Sequence, residues 1–360
     1  MAITVDAKPL LEGIKKIIKI TSASTLNFDF KNKNIKITAM VNQYRMELNI
    51  PCDSDEELKF NIFSSSIISV LEGKDKLTLE LDGSNLKFKS GRSRGNLVTL
   101  EYEDIPFDSS TGKELDKNIK DYIFDNLQRV TYSGKNVSEV IPLKIQIKDN
   151  KIKMLSMEAA YGGFITDDTE SNETIDFSIL LKYANYITEI FSKDEDLKIV
   201  STPSSVNIFS DTCKVILPYV ADGESATIEQ MEEVIKNQVI KDNLQGKIAF
   251  NNPKTFFADI DELRTFAGGD STTTIKIIKK DSSSDVELVI SSNSGVLKKK
   301  IEAEGTKTAG KFESQFNLEF LRSCLEKNLE GTMLISFYQT FCTIKSSAKE
   351  GAIYIVTEKR

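Results

Sequence analysis

Apolar and polar positions along this chain change period in a repeating order. Residues 7–20 (AKPLLEGIKKIIKI) set Leu10, Leu11, Ile14, Ile17 and Ile18 on one stripe at 100° per residue. Lys8, Lys15 and Lys19 gather on another face, so this stretch predicts a helix with a lysine side. The run FDFKNKNIKITA then alternates with period two, as half-buried strands do. A second helical segment opens at Phe60 (FNIFSSSIISVLEG), and alternating strands follow it. The unit so read is helix, strands, helix, strands.

The unit recurs. Three ungapped windows, 75–90 (DKLTLELDGSNLKFKS), 195–210 (EDLKIVSTPSSVNIFS) and 331–346 (GTMLISFYQTFCTIKS), alternate like hairpins around a short polar turn. Apolar residues match at four places: Leu77, Leu197 and Met333; Leu79, Ile199 and Ile335; Leu86, Val206 and Cys342; Phe88, Ile208 and Ile344. Helical segments that begin at Phe60, Phe177 and Phe316 precede the windows, and further helices are expected over 117–130 and 253–266. One such match could be chance between alternating strands. Agreement in order, helix placement and spacing points to triplication. Copies of this length can each bury a core, unlike the short units of a solenoid. The expected domains are 1–116, 117–223 and 243–360. Residues 224–242 (ESATIEQMEEVIKNQVIKD) read as an amphipathic connector helix. The fold class is therefore α+β, with two helices packed on antiparallel β-sheets in each of three repeated domains.

Composition narrows the chemistry. Hydrophobic residues make up 40% and charged residues 28% of 360, a balance for packed globular domains rather than a disordered chain. No apolar run is long enough for a membrane span, and the N-terminus has no charged-then-apolar signal pattern, so no membrane partner and a cytoplasmic location are expected. Cys52, Cys213, Cys324 and Cys342 form no C-x-x-C pair and read as reduced thiols, with no metal site implied. There is no histidine, which removes the usual general base and every Ser-His-Asp or Cys-His arrangement. Gly305 to Lys311 matches G-x-x-x-x-G-K, but Phe312 stands where a P-loop needs Ser or Thr, and no helix pattern begins there. We read it as a strand-linking loop, and expect no enzyme activity and no cofactor.

The net charge is −7, so any nucleic-acid surface must be local. The six helices expected in the three copies together carry +2, which leaves −9 for the rest of the chain. The asymmetry is shallow, and its largest part is the +3 of residues 7–20.

The runs TVDAKPLLEGIKKI, KSGRSRGNLVTLEYEDIP (89–106) and AIYIV resemble the bacterial sliding clamps of DNA polymerases. Gly91 to Pro106 is the most specific segment: Ser-Gly-Arg-Ser-Arg, then Leu-x-Thr-Leu, then an acidic-apolar-Pro end. The match is close in the first domain and the last strand, and elsewhere is one of pattern. The resemblance implies the DNA-clamp fold and a processivity factor for DNA replication. Such a factor closes as a head-to-tail homodimer ring around double-stranded DNA and serves a polymerase and clamp-loader-type proteins, in a nucleoid or at a viral replication site. It turns Lys8, Lys15, Lys16, Lys19, Lys74, Lys120, Arg129 and Lys135 toward the DNA, with Arg92 and Arg94 either joining them or pairing with Glu101 or Glu103. It places Ile105, Phe107 and Phe266 at the dimer interface, although each also fits an ordinary core. It implies a client-peptide groove at Val140, Met157, Tyr161, Ile355 and Val356. Two departures fall there: the family's Gly-His-Arg-Leu reads Ala159-Ala160-Tyr161-Gly162, and its Met-Pro-Met ending reads Thr357-Glu358-Lys359. The alternation of 352–356 would equally make Ile355 and Val356 the end of a strand. The competing class is a non-catalytic, β-rich structural or virion protein built from the same triplicated domain; the paired helices in every copy argue against it.

Overall fold

The structure is a computed structural model that describes residues 2–107, 112–130, 141–158, 160–171, 174–191, 196–220, 227–240, 244–280, 285–292, 295–308 and 311–359. The element order repeats. The first set is β1 (Ala2–Asp6), α1 (Ala7–Thr21), β2 (Thr25–Lys31), β3 (Asn34–Val41), β4 (Tyr44–Pro51), β5 (Leu58–Phe63), α2 (Ser64–Leu71), β6 (Lys76–Asp82), β7 (Asn85–Ser90) and β8 (Ser93–Val98). The second is β9 (Lys113–Glu114), α3 (Lys117–Val130), β10 (Pro142–Lys148), β11 (Lys151–Glu158), β12 (Tyr161–Asp168), β13 (Ile175–Leu180), α4 (Leu181–Ile190), β14 (Lys198–Ser201), β15 (Ser205–Phe209) and β16 (Cys213–Pro218). After α5 (Ile228–Ile240) the third runs β17 (Leu244–Phe250), α6 (Pro253–Phe266), β18 (Thr274–Lys279), β19 (Asp285–Ser292), β20 (Gly295–Glu302), β21 (Glu304–Thr308), β22 (Phe312–Asn317), α7 (Leu318–Glu326), β23 (Met333–Tyr338), β24 (Phe341–Ser346) and β25 (Ala352–Thr357). It differs from the others by the additional strand β21.

The chain forms two compact units. Met1–Asp121 with Tyr186–Tyr219 hold a four-stranded sheet, β1-β6-β7-β8, and an eight-stranded sheet, β5-β2-β3-β4-β16-β15-β14-β9. Tyr122–Asn185 with Val220–Arg360 hold a nine-stranded sheet, β13-β10-β11-β12-β25-β24-β23-β17-β21, and a four-stranded one, β20-β19-β18-β22. Each large sheet joins strands of successive sets, β4 to β16 through Met46↔Val215 and β12 to β25 through Tyr161↔Val356.

The three windows form the hairpins β6–β7, β14–β15 and β23–β24. All twelve matched apolar positions are buried except Phe88, which is half-buried beneath Gly95. The second helix of each set differs from expectation. Phe60, Phe177 and Phe316 lie in strands β5, β13 and β22, and the helix begins two to four residues later, directly off the strand. Each phenylalanine is buried in an alternating run that finds a neighbouring strand to pair with, and ladder pairing outweighs helix propensity there. Gly305 likewise lies in a strand, β21, paired with β17, rather than in a loop.

Two hairpin turns occupy the same place in the first two sets. Asn32-Lys33 has φ of 54° and 59°, and Asp149-Asn150 has φ of 54° and 57°. Both are two-residue loops in the left-handed geometry that matches strand twist.

Helix α1 buries Ala7, Leu10, Gly13, Ile14, Ile17, Ile20 and Thr21. Leu11 and Ile18, expected on the core stripe, are only half-buried, because the buried face is rotated toward Gly13 and Ile20. Glycine at 13 lets the helix approach β4: a Cβ there would lie 2.7 Å from both Ile50 Cδ1 and Leu48 Cδ2. Pro9 sits in the first turn, where its missing N–H leaves no helix bond unmade. Substituting Gly13→Leu should destabilise the first unit by about 1–3 kcal/mol through overpacking. Urea denaturation with separate probes on the two units tests this; an unchanged midpoint would show that α1 can stand off the sheet at no cost.

Candidate functional site

Two surfaces carry the residues to which chemistry can be assigned. The first is the lysine side of α1. Lys8 and Lys15 are exposed and make no ion pair among the described residues, and Lys16 is half-buried beside them. Lys19 is engaged: it pairs with Glu189 and lies 5.6 Å from the Tyr186 ring centre. Lys74, in the turn after α2, donates to Ser93 Oγ at 3.4 Å. Arg92 and Arg94, at the β7–β8 turn and on β8, are exposed and form no ion pair with Glu101 or Glu103. On α3, Lys120 donates to the Leu197 carbonyl, and Arg129 donates to Asn126 Oδ1 while its Nε and Nη2 are buried without partners. Lys135 and Val140 lie outside the described residues. The helices of the third set offer no comparable basic face, since Arg264 pairs with Glu319, Arg322 with Asp261, and Lys299 with Asp259 and Glu262.

The second surface is one face of the nine-stranded sheet. Strand alternation sends Leu155 and Met157 of β11, Phe164 of β12, Tyr338, Phe341 of β24, and Ile353 and Ile355 of β25 to the same side, where they form one apolar cluster. The Tyr338 and Phe341 rings stack at 4.9 Å. Helix α5 lies on this cluster and contributes Ile228 and Met231, both buried, and Ile235, partly buried. A reciprocal cap starts the helix: Gln230 N donates to Thr227 Oγ1 at 3.2 Å, and Thr227 N donates to Gln230 Oε1 at 2.9 Å. Polar contacts line its margin. Gln146 Nε2 donates to Glu229 Oε1 at 3.0 Å, and Lys153 Nζ lies 3.0 Å from Glu232 Oε1. The Gln146 amide is the main cause that holds the Glu229 carboxyl below its ordinary value, so it is charged at neutral pH. A small cleft of about 20 Å³ stays open between Val234 and Ile235 on one side and Phe341, Ile353 and Ile355 on the other.

The groove residues named from the sequence thus divide. Met157 and Ile355 belong to this cluster. Tyr161 and Val356 face the other side of the sheet, where Tyr161 stacks on Phe320 of α7 at 4.2 Å and Val356 is fully buried. The parity of 355 against 356 carries that division in the sequence, and Thr227-x-x-Gln230 is the signal for the start of α5. Behind the same strands, Cys324 of α7 approaches the Ile355 carbonyl, and Cys342 of β24 is fully buried.

The interface residues also separate. Ile105 and Phe107 lie half-buried in a segment held to the eight-stranded sheet by Arg45 donating to the Pro106 carbonyl at 3.0 Å. Phe266 ends α6, half-buried, near the turn at Gly295. Among the edge strands of the four sheets, β8 and β20 each expose a valine: Val98 is 64% and Val296 61% exposed.

Among the described residues no group of three or more Cys, Asp or Glu side chains is placed to hold a metal ion, and no helix is long and apolar enough to cross a membrane. No model of a known protein family matches the chain, and no curated protein matches it. Solved structures do. The chain is similar over its whole length to the DNA polymerase III beta subunit of Thermotoga maritima, at 15% identity, covering 99% of that chain with a TM-score of 0.76. It is similar to the DNA polymerase sliding clamp of Bacillus subtilis at 13% identity and TM-score 0.78, and to the DNA polymerase III beta chain of Streptococcus pneumoniae at 16% and 0.78. Both comparisons cover 100% of this chain and 99% of the other. The fold is therefore that of the DNA clamps.

Burial pushes the Cys324 thiol up to about 12 and the Cys342 thiol well above its ordinary value. Raised values keep both neutral at pH 8, where thiolate is the reactive form. Native protein titrated with a chromogenic disulfide at pH 8 should react quickly at half-buried Cys52 alone. Fast reaction of Cys324 or Cys342 would show that the sheet opens behind Ile355.

Proposed function

We propose that the chain is a processivity factor of DNA replication: a sliding clamp that encircles duplex DNA without catalysing a reaction and holds a polymerase, and other clients, to it. The observation that carries this reading is the full-length likeness to three clamp structures at TM-scores of 0.76 to 0.78. The domains are 1–116, 117–223 and 243–360, joined before the third by residues 224–242. Weak charge suits such a role. Lys8, Lys15 and Lys16 can meet phosphates through mobile side chains, without the bidentate base contacts that would stop a ring at one sequence. Retention then comes from topology. Lys19, Lys74, Lys120 and Arg129 already have protein partners and rank behind them. The client groove is the apolar face that includes Met157 and Ile355.

The ring closes as a head-to-tail homodimer in which β8 of one protomer adds to β20 of its partner. Two heterologous contacts close a six-domain ring when the rotation is right. Val98 and Val296 supply apolar contact, while Arg92 and Arg94 face a strand that carries Lys298 and Lys300. Like charges across such a junction weaken it at low salt.

Two measurements test this. The protein, loaded by a cognate loader, should stay on nicked circular DNA and leave once the circle is cut; loss from both forms at one rate would exclude topological binding. Val296→Asp should raise the dimer dissociation constant at least about tenfold in sedimentation, as loss of a central apolar contact does. The unsubstituted dimer should tighten as salt rises from about 0.05 to 0.5 M. An intact Val296→Asp dimer, or one that salt loosens, would place the interface elsewhere.

A further inference from the structure

Helix α5 belongs to none of the three repeated element sets, yet it lies on an apolar face of the nine-stranded sheet. Its contacts have the form of a bound ligand. Ile228, Met231 and Ile235 follow the i, i+3, i+7 spacing by which an amphipathic helix anchors in a groove. The cap made by Thr227 and Gln230 lets the helix start without help from the sheet. At the margin Glu229 accepts from the neutral Gln146 amide and Glu232 pairs with Lys153, so one hydrogen bond and one ion pair fix the helix edge to the sheet. The grip loosens along the helix: Val234 is 39% exposed, and the cleft beside it opens onto Phe341, Ile353 and Ile355. Phe341 and Ile355 stay buried, so the sheet face is covered and only a small cleft remains beside Val234.

We propose that α5 is an intramolecular occupant of the client site, and that a client binds by displacing it. This rests on reading the face around Met157 and Ile355 as that site. The displacing segment would be a short acidic peptide whose aliphatic or aromatic side chains replace Ile228, Met231 and Ile235, with a carboxylate for Lys153. Lys153 has a side chain only 12% exposed and would be left without its partner by any client lacking that charge. A tethered occupant lowers the apparent affinity of every client by the fraction of time the face is free. Clients with a poor match are therefore refused more strongly than on an open groove.

Hydrogen exchange on the full chain tests the opening directly. Amides of α5 should exchange at least about 100-fold faster than those of β11 and β24, since a displaceable element opens without global unfolding. Equal protection in α5 and β11 would make α5 a fixed part of the core and overturn the proposal. A fluorescent peptide of residues 227–240 provides a test in trans. It should bind a Met231→Asp, Ile235→Asp double variant at least tenfold more tightly than the unsubstituted chain, whose face is filled. Failure to bind a variant with unchanged circular dichroism would overturn the proposal. Should that variant not fold, Glu232→Lys sets a like charge against Lys153 and should speed α5 exchange about tenfold with β11 unchanged; unaltered α5 exchange would again overturn it. None of these measurements uses DNA or a polymerase, so their failure leaves topological binding standing. Failure of the circle experiment leaves α5 a displaceable strap and removes only the identity of its competitor.

Discussion

The structure of the second unit depends on a nine-stranded sheet that must be kept from water on both faces. Its central strands are buried almost without interruption: β10 from Pro142 to Ile147, β12 from Tyr161 to Ile165, and most of β23 and β24. A sheet with one wet face would alternate instead. On one side α7 covers the strands through Leu321, Cys324 and the Tyr161–Phe320 stack. On the other, α5 of the connector packs against β11, β12, β24 and β25. Its placement follows from that need, because the large apolar side chains of β11, β24 and β25 would otherwise form an exposed patch of the sort that invites unspecific association.

Much of the fold was legible in the chain. Hairpins read from periodicity, the lysine side of α1 and the triplicate order all depend on local patterns, and local patterns survive in a single sequence. Two things were less legible, for physical reasons. Phe60, Phe177 and Phe316 look like helix starts because strand and helix join there without a loop, so no turn residue marks the change of period. The groove was blurred because strands buried on both faces lose the alternation that tells one side from the other. Tyr161 and Val356 therefore seemed equivalent to Met157 and Ile355, although their parity sends them under α7. That residues 224–242 form a helix was legible; that the helix has a specific seat was not, since the seat is assembled from strands more than 100 residues apart.

Low identity over a full-length match shows which constraints this fold imposes. At 13 to 16% identity, what persists is the fold itself, over the full length of the chain. The Asn32-Lys33 and Asp149-Asn150 turns illustrate the point. Neither uses glycine, yet both hold the left-handed geometry, so register is preserved by loop length as well as by the identity of the turn residues.

Lysines 298 and 300 on β20, with Arg94 on β8, have a consequence for the protein as it is made. Strands β8 and β20 are open sheet edges, each a template for any unpaired strand nearby, including those of unfinished chains on the same polysome. Positive charge on both edges penalises every encounter between one edge and a copy of itself, β8 with β8 or β20 with β20. Such contacts would start the stacked, fibrous associations to which flat apolar edges are prone. The basic residues act as gatekeepers for the newly synthesised chain, and protect its solubility over the interval in which nothing yet covers its edges.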